Sequence, residues 1–171
     1  MSDQAATAPI AANSSGLTGL VNRAIGLCQS IPHWFIAFVA RFSIAAVFWK
    51  SGQTKVQNFS IDLVDGVFRI GLPKLSDSAV ILFREEYKMP APEVLAPFAA
   101  FAEHLFPFLI LIGLATRFSA IALLVMTLVI QIFVYPGAYP LHGVWAAVLL
   151  YLIAYGPGIL SVDHLVRKQY S

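Results

Sequence analysis

The stretch that decides the fold reads VLAPFAAFAEHLFPFLILIGL (94–114), ATR (115–117) and FSAIALLVMTLVIQIFVY (118–135). Both apolar runs approach the length of about 20 residues that a helix needs to cross the hydrocarbon core of a bilayer. Glu103 is their only charged residue. Because just three residues connect the two runs, the helices must be antiparallel neighbours in the membrane.

Two further apolar runs, 31–49 and 143–160, complete a set of four. The composition agrees, since 58% of the 171 residues are hydrophobic and 12% are charged, against about half and a quarter in soluble domains. The sequence therefore predicts an all-α membrane protein. Its fold is a four-transmembrane-helix up-down bundle with both termini on one side and the bilayer as its first partner.

The spans also predict the domain organisation. Residues 1–30 form a polar, flexible N-terminal segment, 31–166 form the membrane domain, and 167–171 form a C-terminal tail. The 11 Lys and Arg residues are scattered and the net charge is +2, so nucleic acid is excluded as a partner. Cys28 is the only cysteine, which excludes an internal disulfide.

The long loop between the first two spans, 50–93, carries six basic and six acidic residues. Within it, Ser76-Asp77 predicts the start of a short helix that runs through Lys88 and is ended by Pro90 and Pro92. Its apolar positions share one face. Such a helix either lies on the membrane or covers the bundle, or it is a solvated loop helix without a functional duty.

Two charged residues fall inside the spans, where an unpaired charge is costly. Arg41 is close to the midpoint of the first span and Glu103 is close to the midpoint of the second. Because these helices run antiparallel, we predict an intramembrane ion pair between Arg41 and Glu103. The pair is either a clamp that fixes the helix register or a site that handles protons or anchors a substrate.

A second polar cluster is predicted near the outer ends of the third and fourth spans, from Gln131, Tyr135, His142 and Trp145. Polar and aromatic residues at this depth are typical of the interfacial belt. They also suit a pocket for a quinone head group, whose carbonyls need one or two hydrogen-bond donors. Quinone is the one cofactor that the sequence suggests, and no metal site or haem is predicted.

The chain carries an ordered string of polar and glycine residues. It consists of Arg41, Phe48-Trp49-Lys50-Ser51-Gly52, Lys55, Ala102-Glu103, Leu111-Ile112-Gly113-Leu114-Ala115-Thr116-Arg117, Gly156-Pro157-Gly158 and Ser161-Val162-Asp163. This string resembles the DoxX family of small bacterial four-helix inner-membrane proteins over about residues 38–166.

The resemblance implies an inner-membrane protein with cytoplasmic termini. Some relatives are associated with quinone-linked oxidation of thiosulfate, and Lys55 and Arg117, with Arg41 and Glu103, match the family's recurrent polar positions. The distribution of Lys and Arg favours the opposite orientation, with four on the terminal side and six in the long loop.

Two functions remain open from the sequence. One is an accessory membrane subunit of a quinone-linked redox system, at most an oxidoreductase subunit, because the chain shows no self-contained catalytic site. The alternative is a non-enzymatic scaffold or a partner in small-solute or metal-stress handling. Both predict a protein partner subunit or a homo-oligomer.

Overall fold

The structure is a computed structural model that describes residues 16–62 and 66–170. The chain divides into two units, 1–32 and 33–171. In the first, helix α1 spans Gly16–Gln29. Apolar residues recur at helical spacing in that stretch and no proline interrupts them. The flexibility of residues 1–30 stays a prediction, and residues 1–15 lie outside the described residues.

The second unit contains four helices that are long and apolar enough to cross a membrane, which confirms the predicted fold. They are α2 (His33–Gln53), α4 (Pro92–Ile112), α5 (Thr116–Val129, continued by a π-helical turn at Ile130–Val134) and α6 (Tyr139–Tyr155, preceded by a 3-10 turn at Pro136–Ala138).

The last span starts and ends earlier than the predicted 143–160. Pro140 lies in the first turn of α6, where a proline is tolerated because its missing N–H has no helical partner. Gly156 follows the helix with a φ of 79°, a backbone conformation that ends it. Residues 156–160 are therefore a connecting segment rather than helix.

The four helices form one bundle, in which α2 packs against α4 and α6, and α5 packs against the same two helices. Their buried apolar side chains make a common core: Ile44, Ala45, Phe48, Ile110, Ala120, Leu123, Leu149 and Leu152. Small residues within this set let the helix backbones approach closely, as membrane helices require.

The long loop contains two small antiparallel sheets that the sequence did not predict. Strand β1 pairs with β4, and β2 pairs with β3, where β1 is Val56–Gln57, β2 is Ser60–Asp62, β3 is Val67–Arg69 and β4 is Lys74–Leu75. Two side chains from α2 hold β2 in place: Trp49 Nε1 donates to the Ile61 carbonyl, and Gln53 Oε1 accepts from the Ile61 N–H, both at 2.9 Å.

The predicted loop helix is present as α3 (Asp77–Ile81), continued by a π-helical turn at Leu82–Glu86. Its buried Phe83 packs against Ala96 and Ala99 of α4, so this segment covers the first half of α4. The Ser76 hydroxyl makes no capping hydrogen bond to the helix and instead contacts the Ser78 hydroxyl at 2.5 Å.

A further helix, α7 (Val162–Gln169), occupies most of the predicted tail. Ser161 caps it, because its side-chain oxygen accepts from the His164 N–H at 3.2 Å. The serine that precedes the helix and Asp163 in its first turn are a helix-start signal.

Candidate functional site

A buried ion pair joins the end of α2 to the middle of α4. Lys55 Nζ lies 2.6 Å from Glu103 Oε2, and the two side chains are 5% and 4% exposed. Lys55 Nζ also donates to the carbonyl and the hydroxyl of Ser51, at 3.3 and 3.2 Å. Each of the two charged groups thereby has an opposite charge and a hydrogen-bond partner, which a buried ion pair needs to be stable.

The predicted pair between Arg41 and Glu103 is wrong. The backbone of Glu103 lies beside Gly52, since a Cβ added to Gly52 would be 3.0 Å from the Glu103 carbonyl oxygen. Gly52 is eleven residues from Arg41 along α2, about 16 Å at the helical rise. The midpoints of the two helices are therefore not at the same level, because the first half of α4 extends past α2 and is covered by the loop.

Arg41 instead binds two backbone carbonyls on the terminal side of the bundle, one in the last turn of α4 and one in the segment that follows α6. Its guanidinium donates to the Leu111 carbonyl at 3.1 Å and to the Leu160 carbonyl, and it lies 5.9 Å from the centre of the Phe38 ring. A cation at the last carbonyls of a helix offsets both unpaired acceptors and the negative end of the helix dipole. This role is structural.

Arg117 and Asp163 bind backbone groups at the same end of the bundle. Arg117 donates to the Ile153 carbonyl at 2.9 Å and to the Ala154 carbonyl at 3.3 Å, near the end of α6. The Asp163 carboxylate accepts the N–H groups of Ala115 and Thr116, at 2.7 and 2.9 Å, at the start of α5. The family-matching positions Arg41 and Arg117 thus bind helix termini.

Next to the buried ion pair lies an apolar cleft of about 390 Å³ between the loop and α4. The rings of Trp49 and Phe59 lie 5.1 and 6.2 Å from the His104 ring, centre to centre, and Phe101 also lines the cleft. The remaining lining is Val56, Pro73, Leu75, Pro97 and Ala100. His104 is the one titratable side chain among these residues.

The hydrogen bonds of His104 fix its tautomer. Its Nδ1 lies 2.6 Å from the Ala100 carbonyl, which can only accept, so Nδ1 carries the proton. Its Nε2 lies 2.8 Å from Gln53 Nε2 and accepts from that amide. Gln53 therefore has a second amide hydrogen beyond the one given to His104, beside an otherwise apolar cleft.

The structure brings three of the four predicted outer-cluster residues together. His142 Nδ1 lies 2.8 Å from Gln131 Oε1, and the rings of His142 and Trp145 are 5.0 Å apart. Gln131 Nε2 also donates to the Pro136 carbonyl at 2.7 Å. These residues do not line the cleft at His104.

Tyr135 stands apart from that cluster. Its hydroxyl donates to the Glu86 carboxylate, and its ring lies 5.7 Å from the Tyr87 ring. The hydrogen bond to Glu86, followed by burial, raises the pKa of Tyr135. Burial also raises the pKa of Tyr87. Tyr135 therefore ties the end of α5 to the loop.

Three features of the sequence indicate the contacts of Lys55 and Asp163, which were not predicted. Gly52 is a glycine at the end of a helix, which is typical of close backbone approach. Lys55 follows at a distance that lets it fold back on Ser51, one turn earlier. Asp163 lies just after a capping serine, where a carboxylate satisfies backbone N–H groups.

Comparison with known proteins assigns the chain to a family. The sequence profile of DoxX matches residues 36–136, which include the buried ion pair, most of the first span and all of the second and third. A protein of Haemophilus influenzae named only as uncharacterized is 28% identical over 152 residues, covering 83% of this chain and 90% of that protein. No solved structure matches the chain. This multi-pass membrane protein is matched over more than half of its length, and it belongs to the DoxX family.

Proposed function

We propose that the protein is an accessory membrane subunit of a quinone-linked redox system, located in the bacterial inner membrane with cytoplasmic termini. The observation that carries the proposal is the aromatic cleft at His104. We assign the quinone head group to this cleft rather than to the outer cluster of Gln131, Tyr135, His142 and Trp145.

The cleft has the chemistry that a quinone ring needs. Its volume of about 390 Å³ lies in the range of small-molecule sites, about 300–1,000 Å³. Trp49, Phe59 and Phe101 offer apolar and aromatic faces to a flat ring. His104 is the polar side chain of the lining, and its ring is held in place by the Ala100 carbonyl and by Gln53, which lies behind it and is itself bound to the Ile61 N–H.

The proposed role is to seat the carrier. Reduction of a quinone to a quinol takes two electrons and two protons; we assign supply of the electrons to a partner subunit and supply of the protons to water at the membrane surface. The buried Lys55–Glu103 pair shares the end of α2 with Gln53 and holds that helix end against α4. In this arrangement the pair positions the cleft wall, and it does not itself contact the quinone.

The test is a comparison of two histidine variants. Purified protein in mild detergent is extracted with organic solvent, and quinone per mole of protein is measured by chromatography. We expect His104→Phe to lower bound quinone at least about tenfold, because it removes the polar side chain of the lining and fills part of the cleft, a loss equivalent to about 1.4 kcal/mol.

The matched control is His142→Phe, which makes the same change in the outer cluster. It is expected to leave the quinone content unchanged. Loss of quinone only in His142→Phe would place the site at Gln131 and His142, and equal occupancy in all three proteins would contradict the cleft. Both variants are first checked for wild-type elution volume and melting temperature.

One observation favours the scaffold function as a second candidate. Phe68, Ile70 and Leu72, in and after β3, are 64%, 87% and 90% exposed, an apolar patch outside the four spans. Exposed apolar patches of this kind are typical of interaction sites. We expect Ile70→Ser with Leu72→Ser to abolish cross-linking to the protein partner that the scaffold function requires while quinone content is retained, with Lys74→Ser as the control. Retained cross-linking would remove support for a scaffold at this patch.

A further inference from the structure

A second cleft, of about 490 Å³, lies at the terminal end of the bundle, remote from the aromatic cleft. Its walls come from the first residue of α2, the start of α5, the segment after α6, and α7. An inference about this cleft does not depend on the proposed redox function.

The charge in this cleft is predominantly positive. Apart from Tyr155, its titratable side chains are His33, Arg117, Asp163, His164 and Arg167. Asp163 is the one carboxylate among them, and both of its oxygens already accept N–H groups at the start of α5. Two guanidinium groups and two imidazoles therefore face one carboxylate that the helix terminus has neutralised in part.

The guanidinium of Arg117 is preorganised in this cleft. Arg117 is held by two carbonyls through Nε and Nη2, so its guanidinium is fixed before any ligand binds. Thr116 lies in the same wall but is fully buried, so its hydroxyl is not offered to a ligand.

The cleft lies where the membrane meets water. His33 begins one span and Tyr155 ends another, and both residues line the cleft. The adjoining helix α7 exposes Leu165 and Val166 and carries Arg167 and Lys168 in its last turn. Exposed apolar residues beside basic ones on a short helix are typical of a helix that lies in the head-group region.

These features together point to a lipid head group. We propose that this cleft binds the phosphate of an anionic phospholipid, held by Arg117 and Arg167, while the acyl chains lie against the apolar surface of the bundle. Basic pockets between membrane helices bind anionic head groups in the same way. A zwitterionic lipid adds a cationic group, for which the cleft offers only the partly neutralised Asp163.

The test uses the full chain in mild detergent. Phosphatidylglycerol or phosphatidylcholine is added in mixed micelles, and retention of lipid is measured by native mass spectrometry. We expect retention of phosphatidylglycerol only, and a loss of about fivefold in Arg167→Gln, since one basic residue near an anionic lipid contributes about that factor. His164→Gln is a second variant. It leaves the cap of α7 intact, because His164 contributes only its backbone N–H to that cap.

Lys168→Gln is the matched control. This variant also removes one positive charge, but from a side chain that lies one residue further along α7 and does not line the cleft. It should retain the lipid. Equal losses in Arg167→Gln and Lys168→Gln, or equal retention of both lipids, would overturn the proposal. So would displacement of the lipid by millimolar inorganic phosphate, which would assign the cleft to a small free anion.

Discussion

Lys55→Met and Glu103→Leu are each expected to destabilise the folded protein by about 3–5 kcal/mol, because either change leaves one buried charge without its partner. Both side chains are buried, so water cannot replace the lost interaction. The double variant Lys55→Met with Glu103→Leu removes both charges and replaces them with apolar side chains. We expect it to be close to wild type in stability, as is common when both members of a buried pair are replaced.

The measurement is a double-mutant cycle on the free energy of unfolding, from SDS titration in mild detergent. Arg84→Gln is the control, because the pair of Arg84 with Glu93 is exposed on both sides and is screened by water. It should leave stability unchanged. If the double variant is as unstable as the sum of the two single changes, Lys55 and Glu103 are not energetically coupled and the pair has no role in holding α2 to α4.

The four spans and their order could be predicted because the bilayer imposes strong constraints on a sequence. A helix must satisfy its own backbone hydrogen bonds in lipid, so each crossing requires one long apolar run. The two short connections then leave only antiparallel neighbours. The three-residue connection 115–117 alone fixed the pairing of α5 with α4.

The partners of the buried charges could not be predicted in the same way. Span length gives no information on how far one helix slides along another, and a slide of eleven residues separates Arg41 from Glu103. The first half of α4, which extends past α2, is covered by α3 and the π-helical turn after it. The strands of the loop are two or three residues long, too short for a periodic pattern in the sequence.

In the outer cluster, some contacts could be predicted from the local sequence and others could not. His142 and Trp145 are three residues apart on one helix, which places their side chains together whatever the tertiary structure. Gln131 reaches them because a short connection joins α5 to α6. Tyr135 follows the last π-helical turn of α5, and its contact with Glu86 depends on where the loop lies, which the local sequence does not specify.

The close approach of the terminal segments to Arg41 rests on Gly113, the first residue after α4. Its φ is 73°, in the left-handed region, and a Cβ there would be 2.4 Å from the Ser161 Cβ and 2.6 Å from Arg41 Nη1. Two separate penalties therefore oppose any side chain at this position. One is backbone strain, and the other is a clash with groups that bind the helix ends.

Four glycine-to-alanine variants separate these penalties. Gly137 has neither feature, Gly66 has only the positive φ of 65°, Gly52 has only the close contacts, and Gly113 has both. We expect Gly113→Ala to cost about 2–5 kcal/mol, since a left-handed alanine costs about 1–2 and overpacking about 1–3. Gly137→Ala should change stability by less than about 0.5 kcal/mol.

Gly66→Ala and Gly52→Ala are expected to fall between these limits, each showing one penalty alone. The free energy of unfolding of all four variants is measured in the same detergent. Ser161 donates to the Gly158 carbonyl, and Arg41 donates to the Leu111 and Leu160 carbonyls, so neither can move aside without breaking a hydrogen bond to a carbonyl. Gly113→Ala should therefore lower the free energy of unfolding by at least the sum of the losses in Gly66→Ala and Gly52→Ala. A smaller loss would show that the residues around Gly113 rearrange to accommodate the methyl group, contrary to the rigidity that their contacts predict.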